Sequence, residues 1–293
     1  AGHDEFAMSL ARQVLPPDLI ALMERADCCL DDTLHMTYLG LAVSGYVNGV
    51  SMRHGEVSRG MFPAHAINTV TNGVHAPTWT SEPMARLFDR LLPEWRRDNR
   101  YLRNAFELPL EAVHAAHAEA KHRLLDVVQT STGKRLDAKA FTIGFARRAT
   151  TYKRHDLLFR DIDRLKRIAA AAGPMQVVFS GKAHPADQGG KDAIRSVFAA
   201  ARALGSRVSV VFLEDYDTAL AGALVAGVDL WLNTPQKPLE ASGTSGMKAA
   251  MNGVPSLSVL DGWWLEGHVE GVTGWAIGDR SPVSNDAVES ADL

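Results

Sequence analysis

The chain has 293 residues, of which 46% are apolar and 22% are charged, a balance that suits one large globular domain or two smaller ones. Its formal net charge of −3 supplies no overall field for nucleic acid or a membrane surface. The sequence contains no unbroken run of about 18 apolar residues, so no membrane span is predicted. The only cysteines, Cys28 and Cys29, are adjacent, and the first ten residues contain no apolar signal core. We therefore expect a cytoplasmic protein that binds neither nucleic acid nor a membrane.

The first part of the chain shows no alternation of strands and helices. Two helices are predicted, near Asp18–Leu30 and Leu34–Asn48. Residues 81–128 are also predicted to be helical, with breaks at Pro93 and Pro109. We expect residues 1–62 to be the end of a larger unit.

From residue 140 onward, short apolar runs alternate with amphipathic segments. Strands are predicted at residues 140–146, 176–180, 208–212, 229–232 and 256–259, and helices at residues 155–172, 191–204, 219–225 and 247–251. This alternation predicts βαβ units and a parallel sheet, in which ligands lie outside the carboxyl ends of the strands. Polar groups that follow strands should therefore meet at one edge; they are Arg147, Arg148, Lys153, Lys182, Tyr216 and residues 240–248.

The segment EASGTSGMK, residues 240–248, concentrates the chemistry of the chain. Glycines and hydroxyls before a helix form a cradle for anions, because free backbone N–H groups and the helix dipole face the incoming charge. Lys248 is suited to neutralise a phosphate or to condense with an aldehyde, and Glu240 suits the hydroxyls of a sugar. The segment predicts a phosphorylated partner beside a sugar. The alternative is an ordinary helix start capped by Ser242 or Thr244.

The longer string EASGTSGMKAAMNG resembles the segment that carries the pyridoxal phosphate lysine in α-glucan phosphorylases, the family of glycogen, starch and maltodextrin phosphorylases. Further stretches match the same family in the same order: YVNGVSMRHGEVSRGMF (46–62), TNGVHAPTW (71–79), GFARRATTYKRHDLL (144–158), FSGKAHPAD (179–187) and VFLEDYD (211–217). The resemblance runs from about Thr33 to Gly278. Six ordered blocks are far more specific than any one of them.

This resemblance implies an α/β fold of the GT-B type, a Rossmann-like parallel sheet with helices on both faces. Residues 1–72 would be the helical C-terminal part of a first domain, and residues 73–293 a second domain with a helical lead-in and a Rossmann-like core. The family's enzymes are much longer and place the active site between their two domains. The resemblance therefore implies that this chain is a fragment, incomplete at both ends.

The reaction implied by the resemblance is retaining phosphorolysis. Phosphate attacks a terminal α-1,4-linked glucose of a glucan and yields α-glucose 1-phosphate, while the phosphate group of pyridoxal phosphate relays a proton to the departing oxygen. A phosphate monoester suits this task, since its second pKa lies at about 6. The implied catalytic residues are Lys248, which condenses with the cofactor, and Arg148 and Lys153, which bind substrate phosphate.

The remaining site residues are also carried over by resemblance. For the cofactor they are Arg147, Thr244, Ser245, Gly246, Trp79 and Tyr216. For the substrate they are Glu240, Ser242, Gly243, Asn72, Tyr152 and Lys182, the last as a further cation near the phosphates. Arg147 stands where long family members usually have lysine, and the change is chemically tolerable because a guanidinium can bind phosphate through two hydrogen bonds.

Two positions depart from the long enzymes. Gly45 replaces a histidine that contacts the glucose 6-hydroxyl, and Asp217 replaces an arginine that helps to hold the cofactor phosphate. The second change matches the shorter bacterial type of the family. The histidines are scattered along the chain, so no metal site is expected.

Two other functions remain open at this point. One is a nucleotide-sugar glycosyltransferase of the glycogen or starch synthase kind, although no K-T-G-G-L motif is present. The other is an inactive remnant that binds glucan or cofactor. For the phosphorylase function the expected partners are an α-1,4-glucan and inorganic phosphate. The sequence is compatible with a homo-oligomer and does not determine the oligomeric state.

Overall fold

The computed structural model describes residues 3–293, which divide into two compact units, the first ending at Thr71 and the second comprising Asn72–Leu293. None of the helices within the described residues is long and apolar enough to cross a membrane.

The first unit combines short helices with two small sheets. Its elements are β1 (Glu5–Ala7), α1 (Met8–Val14), α2 (Pro17–Arg25), β2 (Cys29–Leu30), β3 (Thr33–His35), α3 (Met36–Val43), β4 (Val47–Gly49), α4 (Met52–Met61) and β5 (Ile67–Thr69). Both predicted helices are shorter than expected. Between the two helices, β2 and β3 pair with each other, Cys29 opposite Leu34 and Leu30 opposite Thr33, so these residues take extended backbone geometry. Beyond α3, the strand β4 pairs with β5 and takes the last residues of the second predicted helix.

The second unit opens with the helical segment predicted for residues 81–128. It contains α5 (Ala76–Trp79), α6 (Glu82–Leu91), a 3₁₀ turn (Asn99–Glu107) and α7 (Leu110–Thr132). Both predicted breaks are confirmed: Pro93 lies beyond the end of α6, and Pro109 occupies the N-cap of α7. Trp95 is fully buried beside this segment and donates a hydrogen bond of 2.8 Å to Asp89 Oδ1.

Strands and helices alternate through the rest of the unit. They are β6 (Phe141–Ala146), α8 (Ile162–Ala172), β7 (Met175–Ser180), α9 (Gln188–Leu204), β8 (Val208–Leu213), α10 (Thr218–Gly227), β9 (Leu230–Asn233), α11 (Thr244–Ala250), β10 (Ser256–Val259), α12 (Trp264–Gly267), β11 (Gly274–Ile277) and α13 (Asp286–Asp292). The strands form one parallel sheet in the order β11-β10-β9-β6-β7-β8. The predicted α/β class is confirmed.

Both faces of this sheet are covered by helices. On β7, Val177 and Phe179 pack in a core with Leu165 of α8 and Val197 of α9. The residue between them, Val178, packs in a second core with helix residues that include Leu124 of α7. Because neighbouring strand residues point to opposite faces, two cores mean that the strands are buried on both sides. This explains their nearly continuous apolar sequence.

The helix predicted at residues 155–172 begins only at Ile162. Arg154 has a left-handed φ of +47°, and Leu157–Phe159 forms a separate 3₁₀ turn. The Asp161 side chain then accepts a hydrogen bond of 2.7 Å from Arg164 N and caps α8. Helix α9 starts earlier than predicted, because Asp187 caps it by accepting from Gly190 N. The edge strand β11 was not predicted at all.

Candidate active site

The predicted site residues follow consecutive strands of the sheet at its carboxyl edge. Arg147 comes directly after β6, Lys182 after β7, Tyr216 after β8 and Glu240 after β9. A carboxylate that sequence reasoning did not single out, Asp261, follows β10 in the same way. Because β10, β9, β6, β7 and β8 are neighbours in this order, the loops that bear these side chains form one continuous edge.

The centre of the site is a buried ion triad in which one carboxylate serves two cations. Arg147 Nη2 donates a hydrogen bond of 2.6 Å to Glu240 Oε2, and Lys153 Nζ donates to the same oxygen. The three residues are only 6%, 6% and 8% exposed for Arg147, Lys153 and Glu240. Asp261 holds the backbone of this residue in place, since its Oδ2 accepts a hydrogen bond of 2.9 Å from Glu240 N. Two positive charges against one negative leave the triad cationic.

The triad changes the acidity of its members. Burial raises the pKa of Glu240, but the charges of Arg147 and Lys153 outweigh it and hold the pKa below the usual range. For Lys153, burial and then the charge of Arg147 lower the pKa to about 8, against the opposing pull of Glu240. Lys153 therefore titrates close to neutral pH.

The titration of Lys153 can be followed by chemical labelling. Trace labelling of Lys153 by acetic anhydride is expected to reach half of its maximal rate near pH 8, whereas an ordinary lysine does so at about pH 10.4. Glu240→Gln removes the negative charge that raises the pKa of Lys153, so in this variant the midpoint for labelling of Lys153 should lie at a lower pH still. Peptide mass spectrometry across a pH series measures both. A midpoint at the ordinary value in the wild-type chain would contradict the buried triad.

Two buried polar atoms beside the triad lack partners. Among residues 3–293, Arg147 Nη1 and Ser242 Oγ are buried and have no hydrogen-bond partner. Leaving such a group unsatisfied costs about 1–3 kcal/mol, so native proteins rarely do it without a reason. A cationic N–H and a hydroxyl at the edge of a cationic triad fit a polar ligand with anionic oxygens.

Helix α11 begins immediately after this region. Gly243, with a left-handed φ of +89°, occupies its N-cap position without a side-chain capping bond, so neither Ser242 nor Thr244 acts as the cap that the ordinary interpretation required. In the first turn, Ser245 Oγ accepts 3.1 Å from the indole of the fully buried Trp231. A Cβ on Gly246 would lie 3.2 Å from the Trp263 ring. The absence of a side chain at this position therefore allows the first turn of α11 to approach Trp263 closely.

Lys248 lies one turn into α11. Its Nζ is 3.7 Å from the centroid of the Trp79 ring, a cation–π contact between the two residues. The side chain is half-buried, and this burial lowers its pKa. A lowered pKa increases the fraction of neutral amine, the form that attacks a carbonyl group.

The other predicted residues differ in how closely they join the centre. The Tyr152 ring lies 4.5 Å from Lys153 Nζ, and Tyr216 packs in the core that includes Trp79 and Ala249. Arg148 is exposed and forms no ion pair with any residue of the described range. Lys182 makes only a surface pair with Asp215 at 3.8 Å.

Three further positions concern the substrate and the departures from the long enzymes. Asn72 is exposed at the start of the second unit, and no described contact connects it to the triad. Gly45 is exposed in the first unit. Asp217 caps α10 by accepting 2.8 Å from Leu220 N, which gives this residue a structural task in the chain.

The fold and this strand-end site define the chain as an α/β protein of the GT-B type. The family model for carbohydrate phosphorylases matches residues 4–270, and the chain belongs to the carbohydrate phosphorylase family. It is 39% identical to the maltodextrin phosphorylase of Thermococcus litoralis, over 96% of this chain and 37% of that protein.

Two further relatives carry the name glycogen phosphorylase. The protein of Aquifex aeolicus is 43% identical, over 83% of this chain and 39% of its own length. That of Mycobacterium tuberculosis is 36% identical, over 93% of this chain and 34% of its own length. The chain thus spans between a third and two fifths of these relatives.

Proposed function

We propose that this chain carries the phosphorolytic site of an α-glucan phosphorylase of the shorter bacterial type, with residues 1–72 and 73–293 as parts of its first and second domains. The substrates are an α-1,4-glucan and inorganic phosphate, and the product is α-glucose 1-phosphate with its configuration retained. The observation that carries this proposal is the buried triad, in which the cations Arg147 and Lys153 share the carboxylate of Glu240. The names of the relatives support the choice of glucan.

Pyridoxal phosphate fits the residues around this centre. Lys248 offers a half-buried amine with a lowered pKa, and Trp79 offers an aromatic face at 3.7 Å from that amine. The free N–H of Arg147 and residues Thr244–Gly246 would hold the phosphate, with Tyr216 nearby. When bound, the cofactor supplies a phosphate group that exchanges a proton near neutral pH.

Some side chains of this site bind the substrate phosphate, and others bind the sugar. Arg148 and Lys153 hold the substrate phosphate, which gives its proton to the departing glucan oxygen. As the bond from that oxygen to the anomeric carbon breaks, a phosphate oxygen bonds to the carbon on the same face, so the configuration is retained. An anion at Arg147 and Lys153 competes with Glu240 for both cations. Glu240 is then available to accept hydrogen bonds from glucose hydroxyls and to stabilise positive charge at the anomeric carbon. Ser242, Gly243, Asn72 and Tyr152 complete the sugar contacts, and Lys182 adds a cation near the phosphates.

Turnover tests the proposal directly. The chain, loaded with pyridoxal phosphate, is incubated with a maltooligosaccharide and inorganic phosphate, and glucose 1-phosphate is measured. We expect product that depends on both phosphate and cofactor. Product formed instead from a nucleotide sugar without cofactor would establish the glycosyltransferase alternative. Retention of cofactor with no product from either donor would identify the chain as a binding remnant.

A further inference from the structure

A second buried ion cluster is centred on Glu289. Glu289 of α13 is only 1% exposed, and its carboxylate lies between two buried cations. Arg154 Nη2 contacts Glu289 Oε2 at 2.5 Å, and Lys237 Nζ lies 3.6 Å from Glu289 Oε1. Gly278, with a left-handed φ of +73°, leaves the room for this side chain, since a Cβ there would lie 2.8 Å from Glu289 Cγ. A buried carboxylate is stable only where its cations are held in place.

Each cation belongs to a segment that bears one half of the triad. Arg154 directly follows Lys153, and Lys237 lies three positions before Glu240. Arg154 Nε and Nη2 also donate to the carbonyls of Thr234 and Pro235, at 3.0 and 2.8 Å. Glu289 therefore connects the segment of Lys153 with the loop that leads to Glu240.

Backbone contacts reinforce this connection. Gln236 N donates 2.7 Å to the carbonyl of Tyr152, and Thr234 Oγ1 donates 2.9 Å to that of Lys153. The left-handed backbone of Arg154 is a strained geometry for a residue other than glycine, and such geometry persists only where surrounding contacts hold it.

We propose that Glu289 is a positioning residue, which sets the distance between Lys153 and Glu240 through Arg154 and Lys237. This inference takes from the proposed function only the choice of Lys153 and Glu240 as site residues. The competing interpretation is that Glu289 merely attaches α13 to the rest of the unit. The two differ in what the triad does when the Glu289 carboxylate moves.

Glu289→Asp tests the difference, because it keeps the charge and withdraws the carboxylate by one methylene. The readout is the acetylation rate of Lys153 at pH 7, measured by peptide mass spectrometry on the whole chain. Lys121 serves as an internal reference. It is buried as well, and its Nζ pairs at 2.6 Å with Asp229, which precedes β9, whereas Thr234 and Lys237 follow the other end of that strand. Asp292→Asn is the control on the same helix, because within residues 3–293 the Asp292 carboxylate accepts from Gly278 N, a bond that the amide oxygen of asparagine can still accept.

We expect labelling of Lys153 to rise at least about ten-fold in Glu289→Asp, with Lys121 unchanged and no rise in Asp292→Asn, as a local loosening predicts. Unchanged labelling of Lys153 in the folded variant would overturn the proposal. An equal rise at Lys121 would overturn it too, because it would mean general loosening. If Glu289→Asp does not fold, Lys237→Met removes the second link and is judged by the same rates. None of these readouts depends on turnover. Absence of phosphorylase activity would therefore contradict the proposed function and leave the positioning role of Glu289 unaffected.

Discussion

Replacing Glu240 by glutamine is expected to lower the free energy of unfolding of the second unit by about 3–5 kcal/mol, the range for removing one partner of a buried ion pair. Glutamine keeps the shape of the side chain and loses its charge. Arg147 and Lys153 then remain buried side by side without the carboxylate that pairs with both. Denaturant unfolding followed by circular dichroism measures the difference.

Glu270→Gln is the matched control for this prediction. Glu270 is exposed and pairs with His268, so the same chemical change there should leave the free energy of unfolding nearly unchanged. Equal effects of the two substitutions would show that the triad contributes no more than a surface pair.

The effect at Glu240 should also depend on pH in a defined direction. The pKa of this carboxyl is lowered in the folded chain, because the two cations outweigh the effect of burial. The stability that it contributes is therefore fully present above the pKa of an unfolded glutamate, about 4.3. It is lost as the pH falls through the lower folded pKa, so the gap between wild type and Glu240→Gln narrows in acid.

Substituting Gly262 by alanine is the second change with a large expected effect. Gly262 has a left-handed φ of +57°, and a Cβ there would lie 2.4 Å from the carbonyl oxygen of Ser242 and 2.9 Å from that of Glu240. The left-handed backbone costs an ordinary residue about 1–2 kcal/mol. Overpacking against a backbone adds about 1–3 kcal/mol. The variant should be less stable and should displace the loop that carries Glu240.

Gly271→Ala separates the two contributions. Gly271 has a similar φ of +70°, but a Cβ there would meet nothing within 4 Å. We expect it to show the backbone cost alone, so the difference between the variants measures the close approach at Gly262. Thermal or denaturant unfolding of both suffices. Identical losses would contradict the packing described for the Ser242 loop.

The sheet and its ligand edge could be predicted because each depends on local pattern. Apolar runs buried on both faces marked the strands, and parallel strands bring their following loops to one edge. Asp261 could have been found by the same rule, since it follows β10 as Glu240 follows β9. The late start of the helix predicted at residues 155–172 could not have been found from the sequence. The left-handed backbone of Arg154 depends on contacts with residues far along the chain.

The pairing within the site was also beyond the sequence. Arg147, Lys153 and Glu240 were each predicted as ligand-binding residues, but the spacing along the chain does not reveal that they bind one another. Nor does it reveal that Glu289, in an acidic C-terminal segment, is almost fully buried. A charged residue in such a segment is usually solvated, and only tertiary contacts with Arg154 and Lys237 reverse this.

We propose that Lys248 holds pyridoxal phosphate in this chain. The most direct measurement incubates the chain with pyridoxal phosphate, makes the lysine–cofactor bond permanent with borohydride, and maps the modified peptide by mass spectrometry, with Lys248→Arg as the control. We predict one label per chain, on Lys248, and none at that peptide in the variant. A folded chain that carries no label, or carries it on surface lysines such as Lys182 to the same extent in both proteins, would rule out Lys248 as the cofactor lysine.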